Sequence, residues 1–142
     1  MAYVDIHDQP GAQRDFFEIP AVAAATATDD YTIWHAPFRA KIRDVVIIFD
    51  DAVVGKNVDT FKLQVYDRGT DGTGNTALTI PTALEDGFVL GVNATAFEAY
   101  AIYDPSTYRD APVGTVLSVK RTKVGAGMNM PRIEGFVEYE GA

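Results

Sequence analysis

The stretch of sequence that decides the fold class is Phe61-Lys62-Leu63-Gln64-Val65-Tyr66. Its apolar residues Phe61, Leu63 and Val65 recur at every second position, and polar or amphipathic residues lie between them. Successive side chains of a β-strand point to opposite faces, so this alternation predicts a strand with one face buried. Such a face must pack against another layer of the same protein, which favours an all-β fold.

Further β-strand candidates lie on both sides of this stretch and are rich in Val, Ile and aromatic residues. They are residues 40–49, 77–80, 87–92, 96–103, 115–124 and 132–140. Residues 21–28 (AVAAATAT) fit a helix or a strand, and the alternating threonines and the short length favour a strand. Gly-rich turns such as residues 68–75 and 125–127 separate the candidates. Short strands without a long helix predict an antiparallel jelly roll or β-sandwich.

Length and charge narrow the class of protein. A chain of 142 residues fits one domain with one hydrophobic core. The net charge of −8 argues against a nucleic-acid partner, because phosphate binding needs clustered Lys and Arg. The chain has no cysteine, and no stretch approaches the roughly 18 apolar residues of a membrane span. The beginning of the sequence also lacks the pattern of a signal peptide, so we expect no membrane partner.

The acidic charge is concentrated at the start of the chain. Residues 1–30 hold six acidic residues and one basic residue, Arg14, and they also contain Pro10, Gly11 and Pro20. This composition predicts an extended N-terminal arm, followed by the jelly-roll domain at residues 31–142. The arm carries more large apolar side chains than a solvated linker would, so we predict that it binds a neighbouring subunit or another protein. The predicted contact residues are Tyr3, Ile6, Phe16, Phe17 and Ile19.

No catalytic or cofactor-binding constellation stands out. The loop 67–75 offers Asp67, Asp71 and Asn75 as oxygen ligands for calcium, but the spacing is not that of an EF-hand, and turn formation is the favoured interpretation. The two histidines, His7 and His35, are too few for a site of several imidazoles. We therefore expect a protein that is not an enzyme and that needs no cofactor or metal.

Aromatic residues outside the predicted arm allow two interpretations. A surface of Trp34, Tyr100, Tyr103 and Tyr108 would suit the stacking of sugars, although cores and subunit interfaces use the same residue types. Phe136 lies among charged residues in the last strand candidate, so it is either a contact residue or covered by a loop. We predict that Tyr108 and Phe136 lie in an interface between subunits.

The order of these features along the chain resembles a known class of virion proteins. The features are an aromatic entry at residues 33–38, the run 60–63 before the Gly-rich turn 69–74, the strand 113–119, the turn 124–127, and Pro131 before a final strand. They resemble the small jelly-roll decoration or cement proteins on the capsids of tailed bacteriophages, including thermophilic phages. The resemblance covers about three quarters of the chain and rests on Gly and Pro turn positions.

That resemblance implies the expected function. Proteins of this class are homotrimers on the outer surface of the capsid, where they bind the major capsid protein and stabilise the shell by bridging adjacent capsid subunits. The resemblance implies the same role and location for this chain. The alternative is a carbohydrate-binding or receptor-binding β-sandwich module of a phage tail or fibre.

Overall fold

Eight β-strands form two antiparallel sheets in the computed structural model, which describes residues 12–78, 87–88, 92–104, 106 and 110–142. No helix occurs among these residues, and so none there is long and apolar enough to cross a membrane. The strands are β1 (Gln13–Ile19), β2 (Thr28–His35), β3 (Ala40–Phe49), β4 (Thr60–Asp67), β5 (Thr76–Ala77), β6 (Ala99–Ala101), β7 (Val116–Val124) and β8 (Ile133–Gly141).

The strand order is that of a jelly roll. The first sheet has the order β1-β8-β3-β6 and the second has the order β2-β7-β4-β5, and every neighbouring pair is antiparallel. The first strand therefore lies beside the last one, and successive strands alternate between the two sheets except for β4 and β5, which pair with each other in the second sheet. Two interlocking Greek keys of eight strands have this arrangement, so the predicted jelly-roll β-sandwich is confirmed.

Most of the strand predictions agree with the structure. Residues 40–49 form β3, and β4, β7 and β8 match their predicted ranges to within one residue at most ends. Among the described residues, the candidate at 77–80 contains only the end of β5 and the candidate at 96–103 contains only the short strand β6, while half of the candidate at 87–92 lies outside the described residues. Residues 21–27 are not a strand, because the chain turns at residues 24–25 as it crosses from the first sheet to the second, and Thr28 begins β2.

The predicted boundary between an arm and the jelly roll at residue 30 differs from the structure. Strand β1 pairs with β8 along its whole length, from Gln13 opposite Tyr139 to Ile19 opposite Ile133. Ile19 is fully buried in the core between the sheets. Residues 13–19 thus belong to the sandwich, because alternate side chains of β1 face its interior. Residues 1–11 lie outside the described part of the chain.

A buried arginine ties two connections of the sandwich together. Arg121 of β7 is fully buried, and its guanidinium donates hydrogen bonds to the carbonyl oxygens of Thr26 at 2.9 Å and of Met128 at 2.8 Å. Its Cζ lies 5.3 Å from the centroid of the Phe61 ring, a distance at which the cation and the ring attract each other. The side chain therefore links the β1–β2 connection to the β7–β8 connection by hydrogen bonds.

Replacing this arginine should destabilise the fold. We expect Arg121→Ala to lower the free energy of unfolding by about 3 kcal/mol, because one buried and one partly buried carbonyl group lose their donor. Arg121→Lys should cost less, since it keeps the charge and one donor. Urea unfolding of the two variants measures the difference. An Arg121→Ala variant as stable as the wild type would show that the two connections do not depend on this side chain.

Candidate functional site

The outward-facing side of the first sheet combines aromatic and aliphatic side chains with charged ones. Along β1 and β8 the register places Arg14 opposite Glu138, Phe16 opposite Phe136, and Glu18 opposite Glu134. Beside β8, strand β3 contributes Val46 opposite Phe136 and Ile48 opposite Glu134. We call this surface the outer aromatic face, which consists of Arg14, Phe16, Glu18, Val46, Ile48, Glu134, Phe136 and Glu138.

Two phenylalanines form the centre of the outer aromatic face. The ring centroids of Phe16 and Phe136 are 5.8 Å apart with an interplanar angle of 63°, an edge-to-face contact. Phe136 is half-buried and lies opposite Val46 of β3, whereas Phe16 remains 77% exposed. Among the large hydrophobic side chains in the described part of the chain, only Phe97, at 75%, has a comparable exposure. An aromatic side chain held on a rigid sheet at this exposure is a candidate contact residue.

Arg14 covers the second phenylalanine from one side. Its Cζ lies 4.4 Å from the centroid of the Phe136 ring, and its Nε donates a hydrogen bond of 3.2 Å to Glu138 Oε1. Phe136 is therefore packed beneath a cation and a neighbouring ring, both supplied by β1. Phe136 is thus partly covered, by strand β1 instead of the expected loop, and it stays half-buried on the outer aromatic face, where a contact role remains open to it.

Arg132 links the two glutamates at the end of the face. Its Nε donates a 2.6 Å hydrogen bond to Glu18 Oε1, and its Nη2 donates a 2.7 Å hydrogen bond to Glu134 Oε1. The hydrogen bond from Arg132, followed by its positive charge, holds the pKa of Glu18 below its ordinary value. The two carboxylates in turn raise the pKa of Arg132. Glu18 is therefore ionised at neutral pH.

An apolar groove of about 460 Å³ runs across the outer aromatic face. Its floor includes the backbone of Gly135, which has no side chain on the opposite side of the sheet. The ring of Phe17 fills that space, since a Cβ added to Gly135 would lie 2.5 Å from Phe17 Cζ. Gly135 thus lets β1 lie close against β8, which fixes the position of the groove. The lining residues are Phe16, Phe17, Glu18, Ile48, Glu134, Gly135 and Phe136.

The predicted contact residues have different positions in the structure. Phe16 and Phe136, which were assigned to an arm and to a subunit interface, are neighbours on one face. Phe17 packs against the hydrophobic core and Ile19 is part of it, because both side chains point inward from β1. A contact role for Ile19 is therefore incompatible with its burial. The remaining predicted residues, Tyr3, Ile6 and Tyr108, lie outside the described residues.

The residues proposed for sugar stacking do not form an exposed surface. Trp34 and Tyr103 are 3% and 1% exposed, Tyr100 is half-buried, and Tyr108 lies outside the described residues. Trp34 packs between the sheets, and its Nε1 donates a 3.0 Å hydrogen bond to Asp15 Oδ2. Burial therefore excludes Trp34 and Tyr103 from a sugar-stacking surface.

Loop 67–75 uses its side-chain oxygens for turns. Asp67 Oδ1 accepts a hydrogen bond from the N–H of Gly69 at 2.7 Å, and Asp71 Oδ1 accepts one from the N–H of Thr73 at 3.0 Å. Asn75 Oδ1 accepts a 2.6 Å hydrogen bond from Arg68. The hydrogen bond from Thr73 lowers the pKa of Asp71. Among the described residues, no group of three or more His, Cys, Asp or Glu side chains is placed to hold a metal ion.

Comparisons with known proteins give few matches. No protein-family model matches the chain, and no curated protein matches it. Among solved structures, the chain is similar to one chain in the "Structure of infectious bursal disease virus Gx strain". The similarity covers 91% of this chain and 32% of that chain, with 13% sequence identity and a TM-score of 0.39. The present chain thus spans about a third of the length of that chain.

Proposed function

We propose that this chain is a structural protein of a tailed-bacteriophage virion, which binds the outer surface of the capsid through the outer aromatic face. In this role it stabilises the shell by bridging adjacent subunits of the major capsid protein. The single observation that carries the proposal is the 77% exposure of Phe16 beside Phe136, above an apolar groove. The jelly-roll topology supports it, since virus capsid domains are among the proteins that use this architecture.

The composition of the face suits a protein partner. Interface centres are enriched in aromatic residues and Arg, and a few such residues supply most of the binding energy. Phe16 and Phe136 would form that centre, while Arg14, Glu18 and Glu134 would form a polar rim around it. A strand-based surface also changes little on binding, so little conformational entropy is lost when a partner docks.

The stabilisation would follow from mass action. A protein that binds the assembled shell, and not its separated subunits, lowers the free energy of the assembled state. Such bridging needs at least two contacts on each decorating unit. The N-terminal residues Tyr3 and Ile6, and a homotrimer formed through residues that include Tyr108, are proposed as sources of the further contacts. The proposal involves no catalytic step and no cofactor.

Cosedimentation with purified shells of the virus that encodes this chain tests the proposal. We expect saturable binding of the full-length protein to expanded shells, with weaker binding to unexpanded shells, and a higher temperature of shell disruption after binding. The absence of binding to shells in either state would contradict the proposed function.

A further inference from the structure

We infer that the groove of the outer aromatic face accepts a long basic side chain, Lys or Arg, from an apolar segment of the partner protein. The inference rests on the proposed function, in which that partner is a capsid protein, and adds the chemistry by which the partner is recognised. The aliphatic stem of the basic residue would lie on the rings and Ile48, and its charged end would meet Glu18 and Glu134.

The rim of the groove has the charge that this occupant requires. The side chains of Glu18 and Glu134 are 59% and 63% exposed, although both are held by Arg132. Arg132 contacts the Oε1 atom of each glutamate, and within the described residues the Oε2 atoms accept no hydrogen bond. Two fixed carboxylates beside an apolar floor are therefore available to a cation from outside.

The same face already contains one copy of the proposed arrangement. Arg14 places its guanidinium against the Phe136 ring and its Nε against Glu138. On the paired strand β1, Phe16 and Glu18 offer a ring and a carboxylate two residues apart, as Phe136 and Glu138 do on β8, but no Arg or Lys of the described residues stacks on Phe16. A cation of the partner would complete this second pair. Cation–π contacts of this kind strengthen as the interface loses water.

Size and charge favour this occupant over a second copy of the chain. A groove of about 460 Å³ is within the usual range of sites for small ligands and side chains. Two copies facing each other through this surface would bring four carboxylates together with only two Arg132 guanidinium groups, in a protein whose net charge is −8. Like charges across an interface oppose association, whereas a basic partner would be attracted.

Titration of the isotope-labelled full-length protein with two peptides tests the inference by NMR. The probes are acetyl-Leu-Arg-Leu-Lys-Leu-amide and its acidic counterpart, acetyl-Leu-Glu-Leu-Glu-Leu-amide. We expect the basic peptide to shift the amide resonances of Phe16, Ile48 and Gly135, and the acidic peptide to leave them unchanged. The Glu18→Gln/Glu134→Gln variant should bind the basic peptide at least about fivefold more weakly.

Strand β8 offers a matched control for the Glu18→Gln/Glu134→Gln variant. Glu140 also pairs with an arginine, Arg43, but lies six residues along β8 from Glu134, so Glu140→Gln should bind the basic peptide like the wild type. Equal shifts with both peptides, no shift with either, or unchanged binding by the Glu18→Gln/Glu134→Gln variant would overturn the inference.

Measuring the binding of the same variants to shells distinguishes a failure of this inference from a failure of the proposed function. If the wild type binds shells and the Glu18→Gln/Glu134→Gln variant binds them equally well, the basic partner side chain is excluded while the capsid role stands. If the wild type binds the basic peptide but no shells, the capsid role fails and the groove chemistry stands. Reduced binding of the variant to both the peptide and the shells supports the two together.

Discussion

Gly135→Val is expected to lower the free energy of unfolding by about 3 kcal/mol or more and to displace the first strand. Gly135 has no room for a side chain, because an added Cβ would lie 2.5 Å from Phe17 Cζ and closer still to the carbonyl oxygen of Val46. Neither neighbour can move freely, since Phe17 packs against the core and Val46 belongs to the central strand β3. Relieving both contacts would therefore require β8 to shift relative to β1 and to β3, its neighbours in the sheet.

Urea unfolding measures this loss, and a substitution on the opposite side of the same strand provides the control. Glu140→Val places the same side chain on the outward-facing side of β8 and should change the free energy of unfolding by less than about 1 kcal/mol. Because Gly135 also fixes the position of the groove, Gly135→Val should weaken partner binding as well. A Gly135→Val variant within 1 kcal/mol of the wild type would contradict the close packing of β1 on β8.

Stability should also fall steeply between pH 10 and pH 12. The pKa values of Tyr103 and Tyr139 are raised to about 12, mainly by burial. Nearby acidic groups, including Asp15 beside Tyr139, raise them further. In the unfolded chain both tyrosines lose their protons near pH 10. The folded state therefore binds more protons between these values, and its stability decreases as the pH rises. At about 1.4 kcal/mol per pKa unit, the combined loss is on the order of a few kcal/mol.

Urea unfolding at pH 8, 10 and 11.5 measures this dependence. Tyr139→Phe removes one of the two groups, so the variant should lose about half as much stability over this range, although it is less stable at pH 8 for want of the 3.0 Å hydrogen bond to Asp15. Equal losses for the wild type and for a Tyr103→Phe/Tyr139→Phe variant would show that other groups cause the alkaline unfolding.

The central strands of the fold could be predicted from the sequence, but the first strand could not. Strands β3, β4, β7 and β8 can be recognised in the sequence by apolar residues at alternate positions or in continuous runs. In β1 the alternation is inverted near its centre, where the polar Asp15 points inward and the apolar Phe16 points outward. Asp15 is accommodated because Trp34 and Tyr139 donate hydrogen bonds to it, and both residues are distant in sequence.

The candidate site was only partly predictable, for a similar reason. Phe136 could be recognised as an aromatic residue among charges, yet the residues that surround it come from the opposite end of the chain. Arg14 and Glu138 are 124 positions apart, and the pairing of the first and last strands is a property of the topology. The ion pair of Glu18 and Arg132 could not be predicted either, since neither residue belongs to a motif in the sequence.

The most direct test of the outer aromatic face as a binding surface is cosedimentation of the Phe16→Ser variant with shells. Because Phe16 is 77% exposed, the substitution should change the free energy of unfolding by less than about 1 kcal/mol. Loss of a central contact of about 2 kcal/mol should weaken shell binding roughly 30-fold. Val113→Ser, at a 63% exposed position in the turn before β7, should bind like the wild type. Equal binding by Phe16→Ser and the wild type would contradict the account.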